Sequence, residues 1–259
     1  MNARDRETWL LDLGNSRAKL ARLAGGEPAD VTALDWTQPD FVGQVRRLVA
    51  RWPQPSRILV ASVARADVAE RVRGLLPASA GVEIEWLRTL RRACGVSNRY
   101  ARPERLGIDR FLSMIAMHAR TRGAGIVIGC GTAMTLDAVG ADGEHAAGLI
   151  ALSPGRMLEA LRVETAIAAR NPDAFSGDGG DDTAAALQAG CWSAAGALVE
   201  WFAARQRRDG IEVPVWLHGG WSAPLAEWLA RDGFRTGVFE HAVLHGLAVW
   251  STAALGRHP

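Results

Sequence analysis

Apolar and polar positions along the chain fall into short blocks whose period switches between two and about 3.6 residues. Residues 8–13, 17–23 and 31–36 read as strands, because compact apolar runs there are set off by Gly, Pro and Asp. Residues 40–52 read as a helix, 57–63 as a strand, 66–76 as a helix and 82–86 as a strand. A loop over 87–104 leads to a helix over 105–117. After Arg122-Gly123 the pattern begins again, with strands over 125–129, 132–138 and 147–152 and helices over 155–169 and 183–206. A strand over 213–217, a helix over 222–231, a strand over 234–239 and a helix over 240–255 complete it. Strands alternating with helices predict an α/β layer structure. The restart predicts an internal duplication, with units 1–122 and 123–259.

The two openings align residue by residue. Leu10-Leu11-Asp12-Leu13-Gly14-Asn15-Ser16 falls on Val127-Ile128-Gly129-Cys130-Gly131-Thr132-Ala133. Each is an apolar strand, a glycine-centred turn with hydroxyl residues, and a second strand. Further on, Ser176-Gly177-Asp178-Gly179-Gly180-Asp181-Asp182 is too polar and glycine-rich for a helix or core strand, and it lacks the alternating ligands of a calcium loop.

Composition narrows the function classes. With 48% hydrophobic and 22% charged residues, the chain has the make-up of a protein that folds throughout. A net charge of +2 with scattered basic pairs excludes the basic stripe of a nucleic-acid binder. The start, Met1 to Glu7, is charged and lacks an apolar export segment, and no apolar run reaches membrane-spanning length, so a cytoplasmic protein without membrane contact is expected. Cys94, Cys130 and Cys191 form no paired motif, which predicts reduced, buried thiols rather than zinc ligands. Among 30 basic Lys and Arg residues only Lys19 is a lysine, and it lies inside the first glycine-turn segment, Asp12 to Lys19.

That turn is the first candidate for chemistry. Gly-rich turns aim several backbone N–H groups in one direction, where they can cradle phosphate oxygens. In Asp12-Leu13-Gly14-Asn15-Ser16-Arg17-Ala18-Lys19, Gly14 allows close approach, Asn15 and Ser16 add donors, Lys19 supplies positive charge, and Asp12 can hold a metal ion through water. Gly-Asn is also a turn dipeptide, so a plain two-residue hairpin competes with this reading. The matching turn Gly129 to Ala133 favours the phosphate reading, since paired turns suit a nucleotide clamped in an interdomain cleft. A third glycine turn, His218-Gly219-Gly220, follows a strand and is either a nucleoside contact or an ordinary strand-to-helix turn. Asp109, opening a helix after Gly107, suits a general base for an alcohol, although an acid there also simply complements the helix dipole. His241 and His245 are four residues apart without a companion carboxylate, and packing or solvent exposure is their default. The Walker loop, the Rossmann fingerprint and the G-x-S-x-G elbow are absent.

Taken together, these motifs closely resemble type III pantothenate kinase, of the acetate and sugar kinase, chaperone ATPase and actin superfamily. Asp12-Leu13-Gly14-Asn15-Ser16 with Lys19 resembles the family's first phosphate motif, and Gly131-Thr132-Ala133-Met134-Thr135-Leu136-Asp137 its second. Tyr100, Pro103 and Leu106-Gly107-Ile108-Asp109-Arg110 resemble the pantothenate motif; Gly148, Pro154-Gly155, Thr183 and Gly219-Gly220 follow in family order.

The resemblance implies an α/β fold of duplicated ribonuclease H-like, actin-like ATPase domains, each a mixed five-stranded sheet flanked by helices. It implies phosphorylation of pantothenate by ATP, the first step of coenzyme A synthesis, with Mg²⁺ and a monovalent cation, K⁺ or NH₄⁺. Asp109 would be the base. Tyr100, Gly107, Ile108, Asp109, Arg110 and Thr183 would contact pantothenate, and Asp12 to Lys19 with Gly131, Thr132, Gly219 and Gly220 would handle ATP, Asp12 also serving the metal. A homodimer is implied, with Thr183 reaching the partner's substrate. One departure stands out: the family commonly has Asp, a ligand of the monovalent cation, where this chain has Gly129. The alternatives are a kinase for a sugar or another alcohol, and a non-catalytic regulatory or transcription accessory protein of the same fold.

Overall fold

The computed structural model describes residues 7–77, 81–164, 179, 180, 182–207 and 213–255. The chain divides into two compact units, Met1–Arg120 with Ala242–Pro259, and Thr121–His241.

In the first unit the strands are β1 (Thr8–Leu13), β2 (Arg17–Ala24), β3 (Glu27–Asp35), β4 (Arg57–Ser62) and β5 (Glu83–Trp86), with α1 (Phe41–Arg51) and α2 (Ala66–Arg73) between them. They form one sheet in the order β3-β2-β1-β4-β5. β1 pairs antiparallel with β2 and parallel with β4. This central position explains its sequence: all of Thr-Trp-Leu-Leu-Asp-Leu is buried, a continuous run rather than an alternating one, because both faces of the strand are covered. Trp9, Leu11, Leu13, Ile58 and Val60 of the sheet share a core with Phe41 and Val45, one helical turn apart on α1.

The stretch expected as a loop over 87–104 contains a small hairpin, β6 (Arg92–Ala93) and β7 (Val96–Ser97). Its two turn residues, Cys94 and Gly95, have φ of 50° and 84°, as a type I′ turn demands. Two-residue strands carry too little periodicity to stand out in a sequence. Next comes α3 (Ile108–Thr121), which starts at Ile108 rather than 105, because Pro103–Arg105 forms a separate 3-10 turn and Leu106 is extended.

The second unit repeats the plan. β8 (Gly125–Cys130), β9 (Ala133–Val139) and β10 (His145–Leu152) are followed by α4 (Pro154–Glu164), α5 (Thr183–Gln206), β11 (Val215–His218), α6 (Ser222–Arg231) and β12 (Gly237–Val238). The sheet order is β10-β9-β8-β11-β12, with antiparallel pairs on the β9 side of β8 and parallel pairs on the β11 side. Strand for strand this is the first sheet again, so the duplication expected from the sequence is present as topology. Trp192, Ala195, Val199 and Phe202 form the inward stripe of α5 and pack on Ile126, Ile128 and Leu217. Asp182 caps α5 by accepting from the N–H of Ala185 at 2.8 Å, a contact of about 1 kcal/mol. The expected continuation of the 155–169 helix past Glu164, and most of the Ser176–Asp182 run, lie outside the described residues.

The final helix, α7 (Ala242–Leu255), differs from expectation in its grouping. The sequence pattern places it with the second half, whereas it packs against β1, β2, β3 and β4 of the first unit. Chain order gives no sign of such a return.

Candidate active site

Asp12 is the penultimate residue of β1, and its ladder partner on β2 is Lys19. Lys19 Nζ lies 3.6 Å from Asp12 Oδ2. Burial nevertheless pushes the Asp12 carboxyl up to about 6; Lys19 opposes the shift and the charge of Asp109 adds to it. The fold thus brings Asp12, Lys19 and Asp109 of the first unit into one electrostatic neighbourhood. The turn itself is longer than a two-residue hairpin. Leu13 and Ala18 are the last pair, and the loop closes by Gly14 N–H donating to the Arg17 carbonyl at 3.0 Å. Asn15, Ser16 and Arg17 are exposed on it, while Leu13 and Ala18 point into the core and offer only main-chain groups. Trp36 Nε1 donates to the Gly14 carbonyl at 3.1 Å and steadies the loop from β3's far end.

Asp109 sits in the first turn of α3, where its Oδ1 accepts from the Arg110 N–H at 2.8 Å. Gly107 makes this possible: a Cβ there would stand 2.5 Å from that same oxygen. Arg110 is buried, and its Nη1 donates to the Tyr100 hydroxyl at 3.1 Å. Ile108 is a core side chain, so only its backbone faces outward chemistry. With Asp109 in the role of base that the family resemblance implies, Gly107→Ala should swing its carboxylate and lower kcat by roughly tenfold or more, with little loss of thermal stability. An ADP-release assay alongside thermal melts checks this, and an unaltered kcat contradicts it.

In the second unit two glycine turns are tied together. The carbonyl of Cys130 accepts from the N–H of Trp221 at 3.0 Å. Gly219 has φ of 100°, and a Cβ on it would approach that carbonyl to 2.6 Å, so glycine is required there. Gly131 and Gly220 are exposed and Thr132 half-buried; buried Ser153 donates to the Thr132 carbonyl at 3.1 Å. The Cys130 thiol is pushed up to about 12 by burial, so no thiolate forms beside this turn at neutral pH. Cys191 is likewise buried, but Cys94, at the turn of the β6-β7 hairpin, is only half-buried. Thr183, assigned to the substrate from sequence, is exposed at the start of α5 in this second unit.

The sheet registers sharpen the comparison of the two openings. Asp12 faces Lys19 on one side and Ala61 on the other, while Gly129 faces Thr135 and His218. A Cβ on Gly129 would meet Thr135 Oγ1 at 2.7 Å and His218 Nε2 at 3.2 Å. Where the first unit has an acid–lysine pair, the second has a bare backbone with a hydroxyl and an imidazole over it. The sequence places Thr135 in the second phosphate motif and His218 in the third glycine turn but neither beside Gly129, because cross-strand neighbours are not sequence neighbours.

The model of the type III pantothenate kinase family matches residues 9–205. The chain belongs to the type III pantothenate kinase family. The type III pantothenate kinase of Xanthomonas campestris pv. campestris (strain 8004) is 40% identical over 248 residues, covering 94% of this chain and 97% of the relative. That of Xanthomonas axonopodis pv. citri (strain 306) is 38% identical over 253 residues, covering 95% and 98%. Among solved structures, component A of the Acidaminococcus fermentans (R)-2-hydroxyglutaryl-CoA dehydratase superposes with a TM-score of 0.58 at 14% identity, covering 98% of this chain and all of that one. MreB5 of Spiroplasma citri bound to ADP gives 0.52 at 10%, covering 97% and 98%. A Campylobacter jejuni protein solved as a candidate Baf family transcriptional activator gives 0.58 at 17%, covering 92% and 94%. At such identities these neighbours show the actin-like ATPase fold alone, and the regulatory alternative gains nothing from the last. Family membership makes the chain a kinase and places Asp12, Asp109 and Thr132 inside the matched span. No helix among the described residues is long and apolar enough to cross a membrane.

Proposed function

We propose that this member of the type III pantothenate kinase family transfers the γ-phosphoryl group of ATP to the primary hydroxyl of pantothenate, with Asp109 as general base. The observation that carries this is the family match, together with a carboxylate held at the start of α3 beside a buried arginine. As the hydroxyl oxygen bonds to the γ-phosphorus, its proton passes to Asp109, the bond from phosphorus to the bridging oxygen breaks, and ADP departs. Arg110 and Tyr100 hold the acceptor, with Gly107 giving it room. The exposed donors of the Asn15–Arg17 loop and Lys19 bind phosphate oxygens, and Gly131, Thr132, Gly219 and Gly220 complete the nucleotide set. Asp12 would hold Mg²⁺, which when bound offsets phosphate charge; no group of three or more His, Cys, Asp or Glu able to hold a metal was found among the described residues, so the remaining ligands would come from ATP and water. ADP release on mixing the protein with Mg-ATP and pantothenate, set against a panel of sugars, tests the assignment. Pantothenate-independent release overturns it.

The residues at Gly129 do not fit a carboxylate-held monovalent cation, because the space for a side chain is taken by Thr135 and His218. Replacing K⁺ by Na⁺ or a bulky organic cation should therefore alter the rate by no more than roughly threefold, under about 1 kcal/mol of barrier. A rate that collapses without K⁺ contradicts this.

A cytoplasmic homodimer is the proposed state, Thr183 reaching the partner's pantothenate. Ile150 and Leu152, 64% and 53% exposed on one face of the end strand β10, and Val163, 78% exposed on α4, give the second unit apolar surface to cover. Light scattering at a dimer's mass is expected; a monomer at micromolar concentration argues against it.

A further inference from the structure

We infer that Arg91 and Asn98 are positioning residues for pantothenate: they brace the segment that carries Tyr100 and, through Tyr100, the seat of Arg110. This rests on the reading of Tyr100 and Arg110 as pantothenate contacts and adds two residues that none of the recognisable motifs contains.

Between β7 and α3 the only regular structure is the Pro103–Arg105 turn, so the carbonyls of this segment need partners from elsewhere. Arg91 supplies three. Its Nη1 donates to the carbonyls of Asn98 at 2.9 Å and Tyr100 at 2.7 Å, and its Nη2 donates to that of Ala101 at 2.9 Å. The N–H of Asn98 returns a bond to the Arg91 carbonyl at 2.8 Å. The β6-β7 hairpin is what makes this geometry available, since it folds the chain back so that the residue before β6 lies beside the residue after β7.

Asn98 continues the brace from inside. It is 2% exposed; its Oδ1 accepts from the Tyr100 N–H at 2.9 Å and its Nδ2 donates to the Pro103 carbonyl at 3.0 Å. At the other end buried Thr89 donates to the Leu106 carbonyl at 2.7 Å, next to Gly107. The segment from Asn98 to Leu106 is thus tied at both ends, and the Tyr100 hydroxyl, fixed by this frame, meets Arg110 Nη1 at 3.1 Å. Only a planar fork reaches three carbonyls in this way, and an ammonium on a flexible stem does not reproduce it. Arg91 itself is exposed, so replacing it removes these bonds without opening the core.

The test measures initial rates of ADP release with pantothenate and ATP each varied, for the unmodified chain, R91A, R91K, Y100F and R91A/Y100F. R91A is expected to raise the KM for pantothenate about tenfold and leave that for ATP unaltered, since small misplacements of a binding group cost that order. R91K should recover only part of the loss. The double variant should be no worse than the worse single variant, because the two residues act as one unit. An unaltered pantothenate KM in R91A beside a raised one in Y100F removes the role of Arg91 alone. Equal rises in both KM values, or effects that multiply in the double variant, also overturn the proposal. If Y100F leaves the pantothenate KM unaltered, the Tyr100 contact itself is wrong and the route through it falls with it.

Discussion

Asp109→Asn is expected to lower kcat by about 10²–10⁴-fold, the range for loss of a positioned general base. The substitution is nearly isosteric. An Asn oxygen can still accept from the Arg110 N–H that Asp109 Oδ1 now occupies, so the first turn of α3 keeps this hydrogen bond and the protein should melt within a few degrees of the original. What disappears is the ability to take a proton. A second consequence follows from charge. Asp109 is one of the groups holding the Asp12 carboxyl above its usual range, behind the larger effect of burial, so removing its charge should move the titration of Asp12 to lower pH. Steady-state kinetics at saturating Mg-ATP and pantothenate measure the first effect. A kcat within threefold of the original would show that proton removal by Asp109 is not needed, and the hydroxyl would have to attack without this base.

The parts of this fold that were legible in the sequence are those where local pattern and tertiary environment agree. β1 and β8 are buried on both faces and read as near-continuous apolar runs, and α1 shows its inward stripe directly. The duplication was visible because both openings keep the same strand, glycine turn and strand. Other features depend on contacts distant in sequence. α7 shows no residue pattern that ties it to the first sheet, and the β6-β7 hairpin is too short to register. The site divides in the same way. Gly107, Asp109 and Arg110 are chain neighbours and so form a readable motif, whereas Arg91 reaches Tyr100 only through a hairpin, and Thr135 and His218 meet over Gly129 only through strand register. The alignment of Asp12 with Gly129 was correct as a ladder position, yet it concealed that Lys19 is answered by Thr135, since the second turn is one residue shorter.

Asp12→Asn should abolish most activity and make the protein more stable at neutral pH, a pairing that a purely structural acid would not give. The folded carboxyl titrates at about 6 against an ordinary value of 3.8, because burial penalises its charged form. A raised carboxylate means that the native state binds the proton more tightly than the unfolded chain, so stability falls as pH climbs from about 3.8 to about 6 and then levels off. About two units correspond to roughly 3 kcal/mol, a net figure that already contains the opposing pull of Lys19, so a gain of at most about 3 kcal/mol is expected at pH 7. Thermal melts should show the Asn variant several degrees higher at pH 7, with the difference gone below about pH 4, where Asp12 is protonated in both states. Activity runs the other way. In the unmodified chain kcat/KM at low Mg²⁺ should fall as pH drops through about 6, because a protonated Asp12 cannot hold a cation, and saturating Mg²⁺ should move that limb to lower pH. The Asn variant should lose roughly 10³-fold in kcat/KM and show no such limb. A variant less stable than the original at pH 7 would mean that the Lys19 pair outweighs burial. A fully active variant would mean that the acid buried at the end of β1 has no part in holding the metal.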